Sequence, residues 1–354
     1  MKTILDHAEK MFKIDRSDMM CMVNSFPYMM EDALFISRSK SVKIKKSFDN
    51  IIIAGMGGSA MAGDIVQSVF YDRFICPVQV VRGYSLPKNA GKKSLIFVLS
   101  YSGNTEETLS VFNEALSKKC QVISITSGGR IGSLSKAKRI QSVLIPAGLP
   151  PRAALPYMLV PMLYILDEAA GFFGLVKESQ RAVSALKMAE LKYRMKASSK
   201  INQAKKMALS LKDRIPLIFG SFMGTGAAAY RWKTQFSENS KITAINNVFP
   251  ELNHNELVNL GLKNNKKFKF FAVFLRDKAD NKRVQLRFDI TRSLLTKGAC
   301  QVTEIWAGGT SKLEKLLSLI YLGDYVSVYL ALLSGTDPTP VDAIEGLKKA
   351  LAKK

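Results

Sequence analysis

An apolar strand that runs into a glycine-rich turn and then a helix occurs twice in this sequence, and no other feature constrains the fold as strongly. The two copies read IIIAGMGGSAMAGD from residue 51 and LIFGSFMGTGAAAY from residue 217. From residue 51 onward, short β-branched runs alternate with helix-like stretches, as in a parallel sheet covered by helices on both faces. We therefore predict an α/β chain of two tandem, doubly wound domains with mainly parallel sheets. Their predicted ranges are 1–190, with an N-terminal helical segment, and 191–354, with a C-terminal helix.

The apolar runs and helical patterns predict the order of the elements. Strands are predicted at 51–54, 78–82, 95–99, 122–126, 142–145, 215–220, 242–245, 268–275 and 301–307. Helical patterns cover 5–37, a buried segment from 153, a single long basic helix over 177–214, a helix over 224–238 and a core helix over 316–333. Asp324 interrupts this core helix, and we expect it near an edge of the core.

Charge and cysteine content narrow the class of protein. The chain has 52 Lys and Arg against 29 Asp and Glu, a formal charge of +23 that favours phosphorylated or polyanionic partners. Nucleic acid is not an expected partner, because we find no helix-turn-helix or zinc-finger element. The four cysteines form no CxxC pair, which argues against a disulfide framework and fits a reducing cytoplasm. We expect neither export nor membrane insertion, since 1–16 lacks a signal-peptide core and the apolar run 153–166 is too short for a bilayer.

The first glycine turn, GMGGSA at 55–60, is suited to binding an anion. Gly57 and Gly58 follow a strand and lead through Ser59 into a helix, so backbone N–H groups crowd toward an anion at the helix N-terminus. The same letters satisfy GxGxxA, the dinucleotide fingerprint, and Arg82 at the end of the next strand would suit the 2′-phosphate of NADP. An NADP-dependent dehydrogenase therefore stays open as an alternative.

A second polar loop, SYSGNT at 100–105, follows the third predicted strand. Ser100, Ser102 and Thr105 lie at the carboxyl end of that strand, where open parallel sheets bind their ligands. Together with Ser59 they could surround a phosphate monoester, whose oxygens each accept several hydrogen bonds. The alternative is that Ser102 or Thr105 only caps the following helix.

The segment SYSGNTEETL at 100–109 resembles the phosphosugar-binding loop of sugar isomerase (SIS) domains. Four further motifs, in order, resemble those of bifunctional phosphoglucose/phosphomannose isomerases, which consist of two tandem SIS domains. They are GMGGSAMAGD at 55–64, PRAAL at 151–155, RWKTQFSENSK at 231–241 and PELNHNEL at 250–257. The resemblance covers nearly the whole chain. It implies an aldose-ketose isomerase that interconverts glucose 6-phosphate, and mannose 6-phosphate, with fructose 6-phosphate through a cis-enediol. It implies no cofactor and a homodimer.

The resemblance also assigns roles at a catalytic site. Glu238 would move the proton between C1 and C2, because one carboxylate can serve both carbons. His254 would shuttle the ring-oxygen proton, at the site of the neighbouring subunit, and Arg152 would stabilise the negative charge of the enediolate. Lys348 would assist ring opening, although Lys349 competes for that assignment.

Other functions remain open on the sequence alone. The two histidines share no metal-binding spacing and no cysteine lies near either, so we expect no metal. A phosphosugar-binding sensor that uses SIS domains without catalysis, and docks to nucleic acid through a basic surface, is the alternative from another class. A sensor gives no reason for Glu238, His254 and Arg152 to occur together.

Overall fold

Two wholly parallel sheets form the framework of the protein. The computed structural model describes residues 3–40, 42–45, 47–171, 174–260, 269–298 and 300–351. The first sheet contains β1 (Asn50–Ala54), β2 (Val78–Val81), β3 (Ser94–Leu99), β4 (Gln121–Thr126) and β5 (Gln141–Leu144) in the order β2-β1-β3-β4-β5. The second contains β6 (Ile215–Ser221), β7 (Ile245–Phe249), β8 (Phe270–Arg276) and β9 (Gln301–Trp306) in the order β7-β6-β8-β9. The predicted α/β class is confirmed.

The sheet order explains where ligands can bind. In the first sheet, β1 pairs with β2 on one side and with β3 on the other. In the second sheet, β6 pairs in the same way with β7 and β8. Ile51, for example, is aligned with Val78 in β2 and with Leu95 in β3. The connections therefore diverge at the carboxyl ends of β1 and β3, which leaves a crevice between them.

Helices cover both sheets and fill the space between them. Those of the first half are a 3₁₀ turn (Ile4–Asp6), α1 (Ala8–Ile14), α2 (Met19–Asn24), α3 (Phe26–Arg38), α4 (Gly57–Phe70), α5 (Glu106–Ser117), α6 (Gly129–Ala137), α7 (Leu155–Ala170) and α8 (Leu175–Tyr193). Those of the second are α9 (Gln203–Leu211), α10 (Gly226–Gln235), a π-helical turn (Phe236–Ser240), a 3₁₀ turn (Glu251–His254), α11 (Glu256–Leu260), α12 (Lys282–Lys297), α13 (Lys312–Leu333) and α14 (Asp342–Leu351). One continuous apolar core contains residues of both sheets and joins the two halves.

The 22-residue α13 lies at the centre of this core. Within the described ranges it is the one helix long and apolar enough to cross a membrane, and 89% of its most apolar stretch is buried inside the protein. Its apolar length therefore serves packing between the two halves.

Three predicted elements differ from those observed. The single helix over 177–214 is wrong: α8 ends at Tyr193, and Asn202 starts α9 by accepting a hydrogen bond from the Lys205 amide while its own side-chain amide donates to the Tyr193 carbonyl. Such local side-chain bonds compete with helix continuation. The predicted helical segment 5–37 consists of the 3₁₀ turn and the short helices α1 to α3, and the Asp15 carboxylate accepts from the Met19 and Met20 amides at the start of α2.

The strand predicted at 242–245 lies further along the chain. The Ile242 amide donates to the Phe236 carbonyl and closes the π-helical turn, so β7 begins only at Ile245. The strand predicted at 268–275 starts at Phe270, and residue 268 lies outside the described residues.

Candidate active site

The first glycine turn lies at the carboxyl end of β1 and begins α4. Gly57 has a φ of +50°, and no side chain caps the helix start, so the first amide groups of α4 are open toward an anion. A Cβ on Gly58 would lie 2.9 Å from the Pro151 carbonyl oxygen and 3.0 Å from the Arg152 Cα. Only glycine therefore lets the chain around Arg152 lie directly against the turn.

Three of the predicted hydroxyl groups converge beside this turn. Ser59 is buried, and its hydroxyl accepts a hydrogen bond from the Tyr101 amide at 3.4 Å, which links the turn to the loop after β3. In that loop the Ser100 and Thr105 hydroxyls are hydrogen-bonded at 3.0 Å. The crevice at the ends of β1 and β3 is thus lined by hydroxyl groups from both strands.

Ser102 lies in the same loop with its side chain exposed. Its hydroxyl accepts from the Asn104 amide at 3.3 Å, in a turn that precedes α5. Thr105 is the residue before α5, yet its side chain makes no capping bond. Helix capping, the alternative role for these hydroxyls, is therefore not what the structure contains.

Arg152 is buried against the start of α4 with every guanidinium nitrogen engaged. Its Nε donates to Asn239 Oδ1 at 2.6 Å, and its Nη2 donates to the carbonyl oxygens of Pro338 and Thr339 at 2.9 and 2.8 Å. Its Nη1 lies 3.6 Å from Glu238 Oε2. Burial lowers the pKa of the guanidinium, and the Glu238 carboxylate opposes that shift.

Glu238 projects from the π-helical turn that follows α10. Such insertions change the direction of side chains and are frequent at functional sites. The neighbouring Asn239 is fully buried, whereas the Glu238 side chain keeps 28% of its surface exposed. A carboxylate from the second half is therefore accessible to a ligand while it pairs with Arg152, which in turn contacts the turn of the first half at Gly58.

The structure does not bring His254 and the C-terminal lysines to this pair. His254 ends the 3₁₀ turn after β7, is itself exposed, and makes no side-chain hydrogen bond or ion pair with another described residue. Lys348 and Lys349 lie on α14, none of whose described residues is buried. The chain just before α14 does reach the site, because Arg152 bonds the carbonyls of Pro338 and Thr339.

Several residues around the pair were not predicted. Lys241 donates to the Glu238 carbonyl and, at 2.9 Å, to the Pro338 carbonyl. Burial and the nearby Arg152 lower the pKa of its ammonium group. Asn239 and Lys241 lie in the motif RWKTQFSENSK, so polar residues around Glu238 in that motif were the available signal.

Asp324 lies at the middle of α13, and its expected place near an edge of the core is wrong. It is only 2% exposed and accepts two hydrogen bonds from Arg231, at 3.0 and 2.8 Å, and one from Gln235 at 3.1 Å. Burial is tolerated because the charge is paired and its oxygens are hydrogen-bonded. The Arg231 Nη2 also donates to the Arg152 carbonyl at 2.8 Å.

One residue proposed to bind a cofactor already has a partner within the chain. Arg82, the candidate partner for a 2′-phosphate, forms an ion pair with Asp64 of α4, so its charge is already met within the chain. Across the described ranges, no three His, Cys, Asp or Glu side chains form a group that could hold a metal ion.

Two family models match the chain. Residues 44–140 match the SIS domain, and residues 200–351 match the bacterial phospho-glucose isomerase C-terminal SIS domain. The matched ranges fall within the predicted domains 1–190 and 191–354, whose boundary itself stays a prediction.

Curated relatives match over nearly the full length. A bifunctional phosphoglucose/phosphomannose isomerase from Caldicellulosiruptor bescii is 39% identical over 94% of this chain and 98% of its own length. Another from Thermoplasma volcanium is 38% identical over 88% of this chain and 94% of its own length. A crystal structure of a glucose-6-phosphate isomerase like protein from Thermus thermophilus covers 99% of both chains with a TM-score of 0.66 at 18% identity, which shows a shared fold.

Proposed function

The chain belongs to the bifunctional phosphoglucose/phosphomannose isomerase family, and we propose that it interconverts glucose 6-phosphate, and also mannose 6-phosphate, with fructose 6-phosphate. One observation carries the proposal. The accessible Glu238 carboxylate lies 3.6 Å from the buried Arg152 guanidinium, whose backbone is pressed against the turn at Gly58. A proton-transfer group, a fixed positive charge and an anion-binding turn therefore meet at one place.

The phosphoryl group of the substrate binds at the first turn. The open amide groups of Gly57 and Gly58 donate to its oxygens, and the hydroxyls of Ser59, Ser100 and Thr105 supply further donors. Ser102, at the exposed side of the same loop, completes this set. The sugar carbons then extend away from the first sheet toward the second half.

Glu238 transfers the proton between C1 and C2. The carboxylate removes a proton from one carbon and returns it to the neighbouring carbon, so the reaction passes through a cis-enediol without a cofactor. Negative charge develops on the sugar oxygens in this step, and the prepositioned Arg152 guanidinium stabilises it. Because hydrogen bonds from Arg152 to Asn239, Pro338 and Thr339 already fix the guanidinium, little reorganisation is needed during reaction.

Ring opening in this proposal involves a second copy of the chain. His254 is exposed and acts at the site of the partner in a homodimer, and Lys348, or Lys349, assists from α14. Exposed apolar side chains support an interface near both elements: Val258 follows His254, and Ile344, Leu347 and Leu351 share one face of α14. Mixed dimers of Glu238→Gln and His254→Ala chains should regain activity that neither homodimer has, because one site then receives both intact residues. Mixtures as inactive as the parents would overturn the shared site.

A coupled assay on the three hexose 6-phosphates, with and without a chelator, tests the function. Wild-type protein should convert all three, and Glu238→Gln should lose at least about a hundredfold in kcat, as expected for loss of a general base. Glu9→Gln, a change on the exposed surface of α1, is the matched control and should keep full activity. Unchanged turnover in Glu238→Gln would reject the assignment of Glu238, and no turnover of any hexose phosphate by wild type would reject the function.

A further inference from the structure

A polar network runs through the core behind the candidate active site. Asp324, on the apolar α13, is paired with the equally buried Arg231 of α10. A buried ion pair is weak support for stability, since apolar residues of similar size often replace such pairs without loss. The pair therefore calls for a role other than holding the helices together.

One arm of the network holds the backbone of Arg152. Arg231 uses Nε and Nη2 on the two oxygens of Asp324, and the same Nη2 also donates to the Arg152 carbonyl at 2.8 Å. Because Asp324 fixes the plane of the Arg231 guanidinium, it also fixes the direction of that bond.

The other arm holds the side chain of Arg152. The Ser327 hydroxyl donates to the Asp324 carbonyl at 2.7 Å, so its oxygen is left to accept from Asn239 Nδ2 at 2.9 Å. This contact orients the Asn239 amide, with its oxygen toward Arg152 Nε at 2.6 Å. Ser240 adds a bond from its hydroxyl to the Ser327 carbonyl at 2.6 Å, which ties down the chain directly after Glu238 and Asn239.

We propose that Asp324 and Ser327 are positioning residues, which hold the Arg152 guanidinium and the Glu238 turn in their reactive arrangement from one turn of α13. The inference rests on the proposed isomerase function and deepens it. Neither residue touches the substrate. They act through Arg231 and Asn239, and they fix Arg152 at both its backbone carbonyl and its guanidinium.

This arrangement predicts which kinetic constant changes. The phosphoryl group is bound at the first turn, which the network reaches through Arg152. Loss of the network therefore misplaces the groups that act in the transition state and leaves substrate binding largely intact. A displacement of about one ångström at reacting groups costs up to about a hundredfold in rate.

The test compares two serines of α13 in the full-length protein. Ser327→Ala should lower kcat for fructose 6-phosphate on the order of ten- to a hundredfold, with KM within about twofold of wild type. Ser318→Ala is the matched control, because the Ser318 hydroxyl also donates to the carbonyl three residues earlier and accepts from a backbone amide, that of Gly308. It should keep the wild-type kcat. Thermal unfolding of both variants verifies that they are folded.

Asp324→Asn, if folded, should show the same selective loss of kcat. If it does not fold, Ser327→Ala decides the matter alone. A Ser327→Ala enzyme as active as Ser318→Ala, or one whose loss lies in KM, would overturn the positioning role while wild-type activity leaves the isomerase function standing. A wild-type protein inactive on all three hexose phosphates would instead remove the function on which the inference rests.

Discussion

The turn after β1 and the turn after β6 share a sequence pattern, but the hydroxyl groups around them differ in what they bind. The first turn lies beside the loop after β3, where the Ser100 and Thr105 hydroxyls share one hydrogen bond, which leaves one of their two hydrogens for a ligand. At the second, the Ser221 hydroxyl donates to Asp280 Oδ1 at 2.7 Å and the Thr225 hydroxyl donates to the Leu275 carbonyl at 2.6 Å. Both donors of the second turn are thus used within the chain.

The comparison shows that both copies of the repeat form a strand, a turn and a helix, whereas the two turns have different chemical roles. The first half offers open donors for a phosphoryl group. In the second half, the Asp280 carboxylate binds the hydroxyl group at the turn after β6. The helix α10 starts at this turn and leads to Glu238. One substrate per chain follows, held by one half and acted on by the other.

The largest expected effect comes from adding one methyl group at each of the two turns. In Gly58→Ala the new Cβ would lie 2.9 Å from the Pro151 carbonyl oxygen, so the chain that carries Arg152 must move away. We expect kcat/KM to fall about a hundredfold. In Gly226→Ala, at the second turn, the new Cβ would lie 2.7 Å from the Val248 side chain, so we expect lower stability and a near-normal kcat in the folded protein. Steady-state assays of both variants measure the difference, and equal losses of kcat/KM would contradict the division of roles.

A smaller effect distinguishes the hydroxyl groups. Ser100→Ala removes a donor to a charged phosphoryl group, which should raise KM for fructose 6-phosphate about tenfold at nearly unchanged kcat. Ser221→Ala should leave KM unchanged, because its hydroxyl already binds Asp280. The same rise of KM in both variants would place substrate at both turns.

The smallest effect concerns stability and pH. Burial raises the pKa of the Asp280 carboxyl, and the Ser221 hydrogen bond opposes the shift. A carboxyl with a raised pKa contributes stability below about pH 4 that is lost as the pH rises through its folded-state pKa. The side chain in Asp280→Asn cannot ionise. The free energy of unfolding of this variant, relative to that of wild type, should therefore increase as the pH rises from 4 to 7. Urea unfolding across that range measures the gain, and a difference independent of pH would contradict it.

The fold was largely readable from the sequence because buried parallel strands are short, apolar and bounded by turns. The predicted strand 51–54 differs from β1 by one residue, whereas 242–245 was misplaced because Ile242 closes a π-helical turn. Periodicity does not report such a turn. It also did not report the break at Asn202, where a side chain replaces helical bonds.

The candidate site was readable only where motifs exist. Local motifs gave Ser59, Ser100 and Glu238, but the hydrogen-bond acceptors of the Arg152 guanidinium lie 87 to 187 positions away along the chain. Sequence spacing carries no information on such contacts. Asp324 is the single charge of the apolar run 316–333, which is a sign readable from the sequence, but its ion-pair partner could be found only in three dimensions.

Solvent exchange during the reaction tests the central claim most directly. Fructose 6-phosphate is incubated in D₂O with wild type, Glu238→Gln or Ser100→Ala, and deuterium at C1 and C2 is followed by NMR while calorimetry measures binding. We expect wild type to exchange, Glu238→Gln to bind the sugar phosphate without exchange, and Ser100→Ala to bind weakly yet exchange at saturation. Exchange at the wild-type rate by Glu238→Gln would contradict the account.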